Sequence, residues 1–244
     1  MIFYLSRFSD DFLAGLIGVG AIATALLIGI SFHEFSHAFV ADRLGDRLPR
    51  RMGRVTLNPL AHLDPLGTIL MVLIGFGWGK PVPINPNNTA NPRAALWMTA
   101  LAGPGSNFLV AAVAGLTIRL GVVPWVSPFN RPQFQVLSDV GWAGEDYLGL
   151  YLSAVTVFSV VLGVFNLFPI APLDGFKVVL GLLPPEPARS FAQLERWGPL
   201  ILLGSLFLLP FATGGQYGIF SIMQPVIQTL VDIITGSSQD IWVE

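Results

Sequence analysis

FLAGLIGVGAIATALLIGISF fills residues 12–32 without one charged side chain. Twenty-one residues rise about 32 Å as an α-helix, enough to cross the hydrocarbon of a bilayer. The rest of the 244-residue chain has the same character, being 53% hydrophobic and only 11% charged. A soluble domain carries about 25% charge, so the solvent here is lipid rather than water. A formal net charge of -2 gives no basic field for nucleic acid. The absence of cysteine excludes disulfide scaffolds, thiolate ligands and thiol nucleophiles. Any metal site must therefore use His, Asp, Glu or Asn. The run at 12–32 is also too long, and too richly followed by others, for a cleaved leader.

Charge is costly in hydrocarbon, so the gaps between charges outline the remaining spans. After residues 12–32 come Arg43, Arg47, Arg50, Arg51 and Arg54, which the positive-inside tendency assigns to the cytoplasm. The N-terminus, with Asp10 and Asp11, is then expected outside. Residues 65–78 are apolar but too few to cross, with cations before and after, and predict a re-entrant segment. Residues 94–118 cross outward, 119–147 form an outer loop with Pro124, Pro128 and Pro132, and 147–173 cross back. Beyond Arg196 a 35-residue uncharged stretch broken by Pro210, Gly214, Gly215 and Pro225 predicts two shorter helices and a cytoplasmic C-terminus. This topology puts ten Lys and Arg inside and three outside, Arg7, Arg119 and Arg131. The expected fold is an all-α polytopic membrane bundle with a short re-entrant or extended segment near the active site. It is expected to be one domain over 1–244, with a core at about 12–180 and C-terminal helices at about 197–235.

Three ionisable residues close the first apolar run, in Ser31-Phe-His-Glu-Phe-Ser-His-Ala38. On a helix, positions i and i+4 share a face, so His33 and His37 can bind one metal ion while Glu34 beside them serves a bound water as base. A hydrolytic zinc site needs a third protein ligand. Asp174 is the acid set in apolar sequence, in Asn166-Leu-Phe-Pro-Ile-Ala-Pro-Leu-Asp-Gly175. The span preceding it returns to the side where His33 and His37 emerge, so the three groups meet at similar depth. A simple turn or cap is the alternative reading of Asp174-Gly175. Pro169 and Pro172 break the helix and free backbone groups, which are tolerated where they line a wet cavity.

His33-Glu-x-x-His37 with Asn166-x-x-Pro-x-x-x-Leu-Asp-Gly175 resembles the site-2 protease family of intramembrane zinc metalloproteases. Asn58-Pro-Leu-Ala-His-Leu-Asp-Pro-Leu-Gly-Thr68, Gly77-Trp-Gly-Lys-Pro-Val-Pro-Ile-Asn-Pro86 and Leu101-Ala-Gly-Pro-Gly-Ser-Asn107 look like its compact prokaryotic branch. The likeness covers about residues 30–180. It implies that His33, His37 and Asp174 hold one Zn2+ per chain and that Glu34 is the catalytic acid/base. It further implies cleavage of single-span membrane-protein substrates near the cytoplasmic face, in regulated intramembrane proteolysis. The location implied is a prokaryotic cell membrane, with self-association left open. Unlike some relatives, the chain is expected to carry neither an inserted PDZ domain nor an appended nucleotide-sensing domain, so control by those routes is not expected.

Other residues have weaker claims. Asn166 can bond the substrate carbonyl or the developing oxyanion, or simply a neighbouring helix. His62 is either an aid to substrate or water, or a core histidine. Asn107, beside Gly103 and Gly105, suits close helix packing better than substrate contact. In Lys80-Pro-Val-Pro-Ile-Asn85 the prolines remove donors from one edge while Val82 and Ile84 keep theirs on the other, so an extended substrate can pair by strand addition. A plain Pro-rich connector is the alternative. Two rival functions use the same cluster: a membrane metal transporter, or a family member that binds without cutting.

Overall fold

The computed structural model describes residues 12–74, 77–238 and 240–242. Arg7, Asp10 and Asp11, and the outer location expected for them, lie outside the described residues. Helix α1 (Phe12–Leu44) is 33 residues long and rises about 50 Å, well beyond the roughly 30 Å of hydrocarbon. The helix therefore runs on past the uncharged segment and carries the His-Glu-x-x-His motif inside it. Just beyond its end, Arg47 and Arg50 fold back as donors to the buried carboxylate of Asp42.

Helix α2 (Pro65–Ile74) is as short as its apolar run predicts. Leu63 and Gly79 form an antiparallel bridge, and the Lys80 N–H donates to the His62 carbonyl at 2.7 Å. The segment thus leaves and rejoins the protein at one level, as a re-entrant element must. Gly67 permits this closure, since a β-carbon there would stand 2.2 Å from the Trp78 carbonyl oxygen.

Helix α3 (Pro92–Arg119) opens with Pro92 at its first position and the Asn91 side chain accepting from the Ala94 N–H, the usual way to satisfy free donors at a helix start. The loop expected at 119–147 contains a helix of its own, α4 (Arg131–Val140), capped by Asn130 onto the Gln133 N–H. Helix α5 (Gly144–Asn166) begins where the Asp146 carboxylate accepts from the Ala143 N–H at 2.8 Å. It stops at Asn166, short of the expected 173, because Pro169 and Pro172 cannot continue it. A tight turn leads into α6 (Asp174–Leu182), and α7 (Pro185–Ala192) follows. The last elements are α8, residues 198–212 with a π-turn at Gly204–Leu208, and α9 (Ile219–Thr235), which Gly236 ends at φ 71°.

Among the described residues four helical stretches are long and apolar enough to span a membrane, within Gly15–Leu44, Pro92–Arg119, Gly144–Asn166 and Pro185–Ala212. Lipid is as apolar as leucine, so these helices associate through close packing rather than water exclusion. Helices α1, α3 and α5 each pack on the other two, and glycines mark the closest approaches. A β-carbon on Gly163 would stand 2.8 Å from the Phe108 ring, and one on Gly115 2.3 Å from Ile234 of α9. Val157 and Val160 of α5 and Met223, Ile227 and Val231 of α9 fill the seam.

The described residues leading to the C-terminus depart from the cytoplasmic expectation. Gly198 starts α8 against Ala171, at the end of the bundle where Asp174 lies, and Gly218 meets the middle of α8 at Ser205 and Pro210. Helix α9 then runs to the opposite end, where the Arg119 guanidinium donates to the Ile233 carbonyl and the Ser127 hydroxyl to that of Ile241. Residues 198–235 therefore make one net traverse, not two. The last described residues lie at the Arg119 end, the side expected to be outer.

Candidate metal centre

The motif histidines project from one face of α1 toward the first residue of α6. His33 Nε2 and His37 Nε2 each stand 2.9 Å from Asp174 Oδ2, although 141 and 137 residues separate them from it in sequence. All three are 7% exposed, and their ligand atoms lie within 4.8 Å of one another. The rings meet edge to face with centroids 4.6 Å apart.

Asp174 owes its place to Gly175. A β-carbon there would be 2.1 Å from the Leu167 carbonyl oxygen, so only glycine lets α6 start directly on the end of α5. Gly103 of α3 performs the same service beside the imidazoles, where a β-carbon would crowd the Nε2 atoms of both rings.

Each of the three side chains has an outer partner. His37 Nδ1 donates to the Thr99 carbonyl at 2.7 Å. His33 Nδ1 lies 3.2 Å from the Asn107 amide. Asp174 Oδ1, turned away from the imidazoles, faces the Lys177 ammonium at 3.6 Å. Outer contacts of this kind orient metal ligands. Two imidazole nitrogens and a carboxylate oxygen, buried and converging, match the donor set of a catalytic zinc site, which takes three protein ligands and keeps a position open.

Glu34 lines the adjoining cavity of about 260 Å³ together with His33, His37, Asp174 and Lys177. Asn166 lines it as well, with one amide N–H donated to the Leu162 carbonyl at 2.9 Å. Because α5 ends at Asn166, the residue approaches Asp174 across a turn, not along two further turns of helix. Pro81, Val82 and Ile84 form another wall. Among the described residues, neither the Val82 nor the Ile84 N–H donates to the protein. The segment is moored behind, where the Asp46 carboxylate accepts from the Asn85 N–H and the Asn88 amide, both at 2.7 Å.

His62 stands apart. It is fully buried, its Nε2 donates to the Thr56 carbonyl at 2.7 Å, and it lines neither this cavity nor the apolar one beside it. Sequence reasoning passed over Lys177, although its position one helical turn after Asp174 was a usable signal. It also passed over Thr99, which contributes through its backbone and leaves no signature in residue type.

The chain is 30% identical over 217 residues to "Putative zinc metalloprotease YwhC" of Bacillus subtilis, covering 86% of this chain and 94% of that protein. It is 32% identical over 188 residues to "Putative zinc metalloprotease Rip2" of Mycolicibacterium smegmatis, covering 72% of this chain and 62% of the relative. The Rip2 of Mycobacterium tuberculosis is 28% identical over 194 residues, 79% of this chain and 68% of that one. No family model matches the chain, and no solved structure matches it.

Proposed function

The chain belongs to the site-2 protease family, and from that premise we propose that it is an intramembrane zinc endopeptidase cutting membrane-spanning segments of other proteins. In this reading His33, His37 and Asp174 hold one zinc ion and Glu34 is the catalytic acid/base. The observation that carries it is the convergence of three buried donor atoms from α1 and α6 within 4.8 Å, on the wall of a cavity that Glu34 also lines.

Zinc held there supplies Lewis acidity, making a water more acidic and a carbonyl more electrophilic. The Glu34 carboxylate takes the proton of the attacking water and returns it to the departing amine. Asn166 has a second amide N–H beyond the one given to Leu162, and this donor serves the carbonyl oxygen as negative charge develops. A helical substrate hides its amides, so it must unwind to be cut. The free Val82 and Ile84 N–H groups offer an unwound strand two partners, while Pro81 and Pro83 leave the other edge without donors.

The arginines after α1 support a cytoplasmic location for the metal end of the bundle. Substrates released there fit regulated intramembrane proteolysis. The decisive experiment purifies wild type and Glu34→Gln in detergent, measures bound zinc, and presents both with single-span substrates. Zinc retained by both, with cleavage reduced about 10²- to 10⁴-fold in the variant, is the expected result. Equal cleavage by the two proteins removes Glu34 from the mechanism, and a metal-transporting role would tolerate Gln there.

A further inference from the structure

Asn107 is fully buried on α3, and its amide lies 3.2 Å from His33 Nδ1. The other end of the same amide, Oδ1, is also buried and has no hydrogen-bond partner among the described residues. An idle acceptor in an apolar interior is costly and asks for an explanation. Helix packing alone does not supply one, because an alanine or leucine would pack without leaving a polar atom stranded.

We infer that Asn107 is a positioning residue that fixes the tautomer of His33 for metal binding, an inference that rests on the zinc reading above. A neutral imidazole carries one N–H. If Nε2, the nitrogen facing Asp174, gives its lone pair to a metal, the proton resides on Nδ1 and the neighbour there must accept. Turning the Asn107 amide over presents Oδ1 to that proton, which gives the stranded oxygen its partner in the same movement. His37 already has this arrangement, with Nδ1 donating to the Thr99 carbonyl, a group that can only accept. The two histidines are thereby held in one tautomer from a single helix, by a side chain at one position and a backbone carbonyl two turns earlier. Gly103, between them in sequence, lets α3 come close enough to do both.

The test uses full-length wild type, Asn107→Leu and Asn107→Asp in detergent. Each is stripped of metal, its melting temperature is recorded, and it is titrated with zinc against a chromophoric chelator. The Leu variant, which cannot accept, is expected to bind zinc about 10- to 100-fold more weakly with no fall in the metal-free melting temperature. The Asp variant, which can accept, is expected to bind nearly as well as wild type. Spectra of zinc-loaded wild type labelled with 15N in histidine and asparagine should find the His33 Nδ1 proton hydrogen-bonded to the Asn107 oxygen rather than facing its NH2 group, and they decide the matter even if the Leu variant does not fold. Wild-type affinity in the Leu variant, an equal loss in the Asp variant, or a His33 proton on Nε2 overturns the inference. Wild type that binds no zinc overturns the metal reading itself, which separates the two failures.

Discussion

A β-carbon on Gly103 would stand 2.5 Å from His37 Nε2 and 2.6 Å from His33 Nε2. A hydrogen atom is all that the space beside these two metal-facing nitrogens admits. Gly103→Ala must push α3 away or turn both rings, a strain of about 1–3 kcal/mol. We expect a lower melting temperature and a clear loss of bound zinc, measured by metal analysis of the purified protein. Unchanged zinc content in a stable variant would contradict the packing described.

Removing the distant ligand should separate metal loss from unfolding. Asp174→Asn keeps the shape but replaces an anionic ligand by a neutral amide, leaving two imidazoles. The variant is expected to lose zinc on brief exposure to a mild chelator that wild type survives. Stripping wild type with a strong chelator should stop cleavage, and added zinc should restore it. Cleavage that persists in metal-free protein would end the hydrolytic reading.

The wall at Val82 and Ile84 is tested by taking away its donors. Val82→Pro with Ile84→Pro removes both N–H groups from the edge that faces the cavity. Cleavage is expected to be abolished while zinc content is spared. Unchanged turnover of a single-span substrate would mean that the segment is a connector.

Asp46 makes a pH-dependent prediction. Burial raises its carboxyl, but bonds from the Asn88 amide and the Asn85 and Leu48 backbone N–H groups outweigh burial and hold it below the ordinary value. A carboxyl depressed in the folded state stabilises the protein fully above its unfolded pKa of about 3.9. That contribution is lost as pH falls through the lower folded value. Wild type should therefore melt above Asp46→Asn at neutral pH, and the gap should close on acidification below about pH 4. A gap that is constant with pH would assign the effect to shape rather than charge.

The spans were legible wherever charge punctuates the chain. Helices over 12–32 and 94–118 follow from the absence of Asp, Glu, Lys and Arg, and the short α2 follows from too few apolar residues to cross. His33, His37 and Asp174 were legible because two imidazoles and a carboxylate are out of place in apolar sequence, and the structure brings them together. The direction of α9 was not legible, since no Lys or Arg follows Arg196 and sidedness rests on cations. The extension of α1 to Leu44 was hidden because the uncharged run ends at residue 32, whereas the helix continues through Asp42, whose carboxylate is neutralised by Arg47 and Arg50 folding back. The bond from His37 to Thr99 belongs to a backbone carbonyl, which every residue type possesses.

Every proposed ligand and proton carrier has left the ribosome by Asp174, yet the seam between α3 and α5 is filled by Met223, Ile227 and Val231 of α9 and by Ile241. During biosynthesis the reactive groups are thus present well before the bundle that steadies them is closed. A chain terminated early would carry all the chemistry and lack the keystone, leaving the flank of α5 open to lipid. Closure of the bundle thus waits on α9, which seals a flank whose reactive groups are already made.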